Sequence, residues 1–425
     1  MDNSRALQPV GRRIDPCICV GLPFHSAKLE ENRMVTFVPL LPAETIAALP
    51  ARAQEVVEYR KSGLSLNHVQ GCPLGCAYCI RHTYGLWDAN TPAALMTDTE
   101  AVEQLVSHRY FKPHQTPLQI FNRSTDPFLA GVRDHLFAVL EELDTRGLTN
   151  HVLVITRAVV RDADCTRLNA LKNLKLTLLF TYSGIEDRRV EPYPSSVAAA
   201  SLRRATAYGS AEEPRRYRTI LYWRPLVPGL NDTDKQLRDA VDLSRTADAT
   251  VFTGLFYREQ IAEYYKANGI PEPYQGTARR KIVPETLDRR VVDAFAARPT
   301  SATPLFRKTS CAVSYVHGLP DYNGHYGIRE LCDICPMAQL QLCAGAHHVP
   351  TTRAFLNAAA ALPEAADLEV LDITDRAVRV DGLASEQPRY FLQHAFAFQV
   401  HDAGHPHHLN RHGRADIGWE ATTNG

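Results

Sequence analysis

The chain has 425 residues, and its 47 Lys plus Arg balance 47 Asp plus Glu, giving a formal net charge of zero with 45% hydrophobic residues. That length and apolar content suffice for one large α/β domain with a smaller one beside it, and they exclude a disordered chain. Balanced charge supplies no global basic field for nucleic acid, so recognition of such a partner would have to come from local charge.

Residues 1–60 read as an N-terminal extension that holds Cys17-x-Cys19, a redox pair or nothing, and an amphipathic helical stretch near 43–60. From Gly63 onward, short apolar runs alternate with helical periodicity. Strands are predicted at 64–69, 118–121, 151–156, 175–182, 217–223 and 250–256, and helices at 98–109, 130–146, 162–171, 195–208 and 232–246. This beat predicts a parallel sheet of six β/α units, covered on both faces and curled into a partial barrel over 61–300. Residues 257–300 read as helical and charged. A cysteine-rich region follows at 301–350, and then a small α+β module at 351–425, with a helix at 352–361, strands at 368–380 and 389–400, and a tail carrying His401, His405, His407, His408 and His412. That tail reads as solvated, with metal binding as the alternative.

No run of about 18 apolar residues occurs, and Met1-Asp2-Asn3-Ser4-Arg5 lacks a charged-then-apolar leader pattern, so the expectation is a cytosolic protein. The ten cysteines fit metal ligation in a reducing compartment better than a secreted disulfide framework.

In α/β folds of this kind, sites collect at the carboxyl ends of the strands. There the sequence places Cys72, Cys76 and Cys79 after the first strand, Asn122 to Asp126 after the second, Thr156-Arg157 at the third and Thr181 to Ser183 at the fourth. The cysteines form a C-x3-C-x2-C spacing on a loop carrying Gly71, Pro73 and Gly75. Three thiolates can hold three irons of a cubane and leave the fourth open, whereas closed sites want four protein ligands. The alternatives are a structural zinc site or three buried cysteines without metal.

The Cys72/Cys76/Cys79 spacing, with Tyr78 between the last two, resembles the signature of the radical S-adenosylmethionine (radical SAM) superfamily. The resemblance implies a [4Fe–4S] cluster whose open iron is chelated by SAM, with Tyr78 beside the SAM adenine. It implies one-electron cleavage of SAM to methionine and a 5′-deoxyadenosyl radical that abstracts hydrogen from an organic substrate, and an external reductant such as flavodoxin or ferredoxin. Ser124-Thr125-Asp126-Pro127, Ile155-Thr156-Arg157, Glu191-Pro192 and the run from Arg224-Pro225 to Asn231-Asp232 resemble segments of the spore photoproduct lyase-like branch, over roughly residues 63–235. By that resemblance Ser124, Asp126, Arg157, Thr181 and Glu191 join Tyr78 around SAM, with Arg157 pairing its carboxylate. Taken alone, Asp126 reads equally as a helix cap and Arg157 as a surface ion pair. Two positions depart from the lyases proper: Ile80 replaces a tyrosine, and Arg123-Ser124-Thr125 lacks a hydrogen-donating cysteine. These departures argue against thymine-dimer repair and leave a nucleotide or nucleic-acid base, a peptide or a small metabolite as substrate.

Cys311, Cys332, Cys335 and Cys343 supply four further thiols, enough to close a site. Radical SAM enzymes with accessory clusters imply a second [4Fe–4S] here, and zinc is the alternative. Cys165 reads as packing, and Arg215, Arg216 and Arg218 as a solvent-facing turn or a phosphate contact. A non-catalytic iron–sulfur or zinc scaffold, electron carrier or sensor is the competing functional class.

Overall fold

A computed structural model describes residues 38–277, 281–298 and 303–404. Cys17-x-Cys19, most of the N-terminal extension, and His405, His407, His408 and His412 lie outside the described residues. Six parallel strands run in chain order: β2 (Gly63–Leu66), β3 (Leu118–Ile120), β4 (His151–Thr156), β5 (Lys175–Tyr182), β6 (Arg218–Leu226) and β7 (Ala249–Phe256). An antiparallel strand β1 (Val57–Arg60) extends the β2 edge, while β8 (Lys281–Ile282) and β9 (Leu305–Phe306) both pair with β7. Among the described residues β1 and β8 do not pair, so the mostly parallel sheet is open.

Successive side chains of a strand point to opposite faces. Leu64, Ile120, Val152, Val154, Leu178, Phe180 and Trp223 therefore meet the helices on the outer face. Leu153, Leu179, Ile220, Ala249 and Val251 form an inner face. Both faces being buried is why these strands read as continuous apolar runs. The outer helices are α1 (Asp98–Val106), α2 (Val132–Thr145), α3 (Asp162–Ala170), α4 (Ser195–Ala207) and α5 (Asp234–Ser244). Capping boxes at Thr97/Glu100 and Thr233/Gln236 start α1 and α5, each stabilising its helix by about 1 kcal/mol.

Four readings of the sequence are corrected. The stretch 43–60 is not one helix: Pro50 separates Ala43–Ala47 from Ala51–Gln54, and Val57–Arg60 then pairs with β2. Residues 368–380 form a hairpin, β10 (Glu369–Ile373) and β11 (Ala377–Asp381), rather than one strand. Residues 389–400 are the end of a helix, Glu386–Phe396, capped by Ser385, followed by a strand, Gln399–Asp402, parallel to β11. His401 lies buried in that strand, not in a solvated tail.

The cysteine-rich region is not set apart from the sheet. Helix Thr309–Val316 lays Ala312 and Val313 on the inner face against Leu153, Leu179 and Val251. Arg307, 5% exposed at its side chain, anchors the segment by pairing with Asp288 at 2.7 Å and Asp333 at 2.5 Å. At the amino ends of the strands, His317 Nε2 and Thr177 Oγ1 are 2.9 Å apart, and His151 stacks near Tyr322. His394 Nδ1 meets Tyr59 Oη at 2.8 Å and its Nε2 meets Asn323 Oδ1 at 2.7 Å, tying the C-terminal helix to β1.

These histidines make stability depend on pH. Burial holds His151 and His394 down to about 3, and burial with Arg218 and Lys175 holds His317 down to about 4. A folded value below the unfolded one, about 6.5, means that the unfolded chain binds more protons at acid pH. The stability is complete above pH about 6.5 and falls as pH drops toward the folded values, by about 1.4 kcal/mol per pH unit for each histidine. Urea midpoints should therefore fall steeply from about pH 7 to about pH 5, less so in His394→Gln; a flat profile would contradict this.

Candidate active site

The cysteine loop leaves the carboxyl end of β2 under tight backbone control. Gly71 takes φ 102° because a Cβ there would collide with the Thr91 carbonyl, and its N–H donates to Ser124 O at 3.1 Å. Ser124, fully buried, also donates Oγ to Asn67 Oδ1 at 3.3 Å, so it clamps the start of the loop. Gly75 takes φ 65° at the turn between the first two cysteines. Arg81, 2% exposed, staples the loop from the other side: its guanidinium donates to Cys72 O at 2.7 Å, Ala89 O at 2.7 Å and Leu86 O at 3.0 Å. That role left no mark in the sequence, because Arg81 acts on carbonyls and forms no motif.

Cys72 and Cys76 are buried and Cys79 half-buried, in an apolar cup of Leu74, Ala77, Val190, Val227, Leu255 and Ile261. Burial pushes the Cys72 thiol up to about 11 and the Cys76 thiol well above its ordinary value, and Cys79 adds to both. Cys79 is thus within electrostatic reach of both other thiols. Buried thiols of this kind ionise when a cationic centre binds them, so the donor set fits a metal or iron–sulfur centre.

Four predicted residues converge beside this loop. Cys76 Sγ donates to Glu191 Oε1 at 3.3 Å, and Tyr78 Oη donates to Glu191 Oε2. Arg157 Nη1 reaches both, at 2.7 Å from Tyr78 Oη and 2.5 Å from Glu191 Oε1. Glu191 and Arg157 side chains are 1% and 14% exposed, so this ion pair is desolvated. Burial alone would lower Arg157, but Cys76, Glu191 and Tyr78 hold its guanidinium well above its ordinary value.

Asp126 stands behind Arg157. Its Oδ1 accepts from Thr156 Oγ1 at 2.7 Å and Phe128 N at 3.0 Å, and its Oδ2 accepts from Arg157 N at 2.8 Å. The carboxylate therefore braces the end of β3 against the end of β4 and aims Arg157. Thr181, next to the last residue of β5, sits beside Tyr222 in register. The apolar groove lined by Leu40, Ile46, Leu95 and Met96 contains none of these residues.

The four C-terminal cysteines lie within electrostatic reach of one another, with Cys311 and Cys335 packed against the inner-face cluster. Burial pushes the Cys311 thiol well up, and Asp321, Cys335, Cys343 and Cys332 add to it. Cys343 Sγ accepts from Asp321 N and Gln339 Nε2, both at 3.4 Å. His325, which the sequence reading passed over, places Nδ1 3.9 Å from Cys311 Sγ and 2.9 Å from Asp321 Oδ2. Its only sequence signal is a His between two cysteines of the group. Arg215, before β6, pairs with Asp248 at 2.7 Å.

No family model and no curated protein matches the chain. Solved structures match part of the chain at low similarity. SuiB of Streptococcus suis bound to S-adenosylmethionine is 13% identical with a TM-score of 0.35, over 55% of this chain and 47% of that one. Spore photoproduct lyase complexed with dinucleoside spore photoproduct is 12% identical with a TM-score of 0.39, over 54% of this chain and 71% of the lyase. These neighbours are radical SAM enzymes. The chain spans less than half the length of SuiB that it matches, and overlap this partial leaves the functional reading to the residues themselves. Among the described residues no helix is long and apolar enough to cross a membrane.

Proposed function

We propose that the chain is a radical SAM enzyme in which Cys72, Cys76 and Cys79 hold a [4Fe–4S] cluster and present an open iron to SAM. When bound, the cluster supplies the electron that cleaves SAM to methionine and a 5′-deoxyadenosyl radical. The chain's own residues bind and orient. Arg157 offers a cation to the SAM carboxylate, Glu191 and Tyr78 fix its direction, and Tyr78 gives an aromatic surface beside the adenine. Ser124 and Asp126 hold the two backbone segments on which these groups ride, and Thr181 lines the inner face below them. The apolar cup keeps water from the reacting atoms.

The observation that carries this reading is the convergence of Cys76, Tyr78, Arg157 and Glu191, from three separate chain segments, on one desolvated network at the carboxyl ends of the strands. Hydrogen would be taken from an organic substrate on the inner face, with a flavodoxin or ferredoxin as reductant in the cytoplasm. Cys311, Cys332, Cys335 and Cys343 would hold a second [4Fe–4S], with zinc as the alternative occupant. Anaerobically reconstituted protein given SAM and dithionite should release 5′-deoxyadenosine. Absence of product under conditions where a known radical SAM enzyme forms it would favour a non-catalytic scaffold instead.

A further inference from the structure

A second polar constellation lies on the inner face, outside the cysteine loop and its network. Tyr222 of β6 is 3% exposed, and its Oη accepts from Lys281 Nζ at 3.1 Å and from Thr309 Oγ1 at 3.3 Å. Arg224, two residues along the same strand, places Cζ 5.0 Å from the Tyr222 ring centroid, and Lys281 Nζ is 5.5 Å from it. Nε of Arg224 is buried without a hydrogen-bond partner. Among the described residues neither Arg224 nor Lys281 forms an ion pair.

Among the described residues two cations therefore converge on one phenol, with no carboxylate paired to either. Desolvating a cation without a counter-charge is costly, and such an arrangement persists where the anion arrives with a ligand. Electrostatics agree with the geometry. Burial alone would raise Tyr222, but Lys281 and Arg224, with the Thr309 hydrogen bond, outweigh it and bring the phenol down to about 7. Burial and Arg224 also lower Lys281, and Arg60 of β1 lies within electrostatic reach of Tyr222.

We propose that Arg224, Lys281 and Tyr222, with the Thr309 hydroxyl, form a subsite that binds the phosphate group of a phosphate-ester substrate. A guanidinium fork, an ammonium and two hydroxyls match a tetrahedral dianion better than a planar monoanion, because they supply donors in several planes and more than one positive charge. The position suits a substrate: Thr181, which lines the inner face below the cysteine loop, is the register neighbour of Tyr222. The identity of the ligand as substrate rests on the radical SAM reading, whereas anion binding does not.

The test is calorimetric titration of inorganic phosphate into the reconstituted full-length protein without SAM, with acetate as a second arm. Phosphate should bind, and more tightly than acetate. Lys281→Gln and Arg224→Gln should each weaken it at least about tenfold, Lys281→Arg should retain it, and Lys235→Gln, at an exposed pair with Asp239, should leave it unchanged. Variants are compared at matched circular dichroism, and Tyr222→Phe, which keeps both cations, should weaken binding less than either charge removal. No binding by the wild type, equal binding by Lys281→Gln, or acetate bound as tightly as phosphate would overturn the proposal. Release of 5′-deoxyadenosine is measured separately, so a chain that binds phosphate and leaves SAM intact loses the radical reading while keeping the subsite.

Discussion

Cys76→Ala should reduce 5′-deoxyadenosine formation to that of a control without protein. Cys76 is 7% exposed and is the cysteine whose sulfur lies against Glu191 in the buried network. Its removal leaves Cys72 and Cys79, two thiols where a site-differentiated cubane wants three. Iron should fall by about four per chain, from about eight to four if the C-terminal quartet also carries a cluster, or from about four to none if that quartet carries zinc. Cys165→Ala is the matched control: Cys165 is buried in α3 on the outer face, so its loss should cost stability and leave iron unchanged. Retention of iron and activity in Cys76→Ala would remove the cysteine loop from the chemistry.

Arg157→Met is expected to destabilise the protein by about 3–5 kcal/mol, because it strands the Glu191 carboxylate in a desolvated site. Tyr78 would remain as its hydroxyl donor, which cannot neutralise it. Urea unfolding should show the loss, and the double variant Arg157→Met/Glu191→Leu should recover much of it, since both charges are then gone. Activity should separate from stability: the double variant, though folded, lacks the cation proposed for the SAM carboxylate and should bind SAM weakly. Arg157→Lys keeps the charge and loses the fork, so an intermediate SAM affinity is expected. A single variant as stable as wild type would mean that the pair is solvated and that the network is not a rigid unit.

The strands His151–Thr156 and Lys175–Tyr182 were legible to the residue, because a strand buried on both faces writes an unbroken apolar run bounded by turn residues. The edge strand Val57–Arg60 was not. It follows two short helical turns, and its alternation of buried and half-buried residues is too brief to override the helical period before it. In the C-terminal module, the aromatic and apolar residues of Glu386–Phe396 suggested a strand, while the decisive helix signal was a single capping serine.

At the site, the cysteine loop was legible from local spacing alone. The partners of its members were not: Cys76 and Glu191 are separated by 115 positions and Arg157 and Tyr78 by 79, distances over which spacing carries no information. Resemblance supplied the candidates, and the fold shows which of them touch. Arg81, His325, Tyr222 and Lys281 went unread because buried cations, phenols and histidines act through carbonyls, rings and neighbours brought together only by the fold.

An iron held at the Cys72/Cys76/Cys79 site should be open to SAM. Low-temperature EPR of the anaerobically reduced protein tests it most directly, recorded before and after adding SAM, in wild type and in a variant lacking the C-terminal quartet. SAM should change the g-values of the reduced centre in both proteins. A spectrum unaltered by saturating SAM would contradict it.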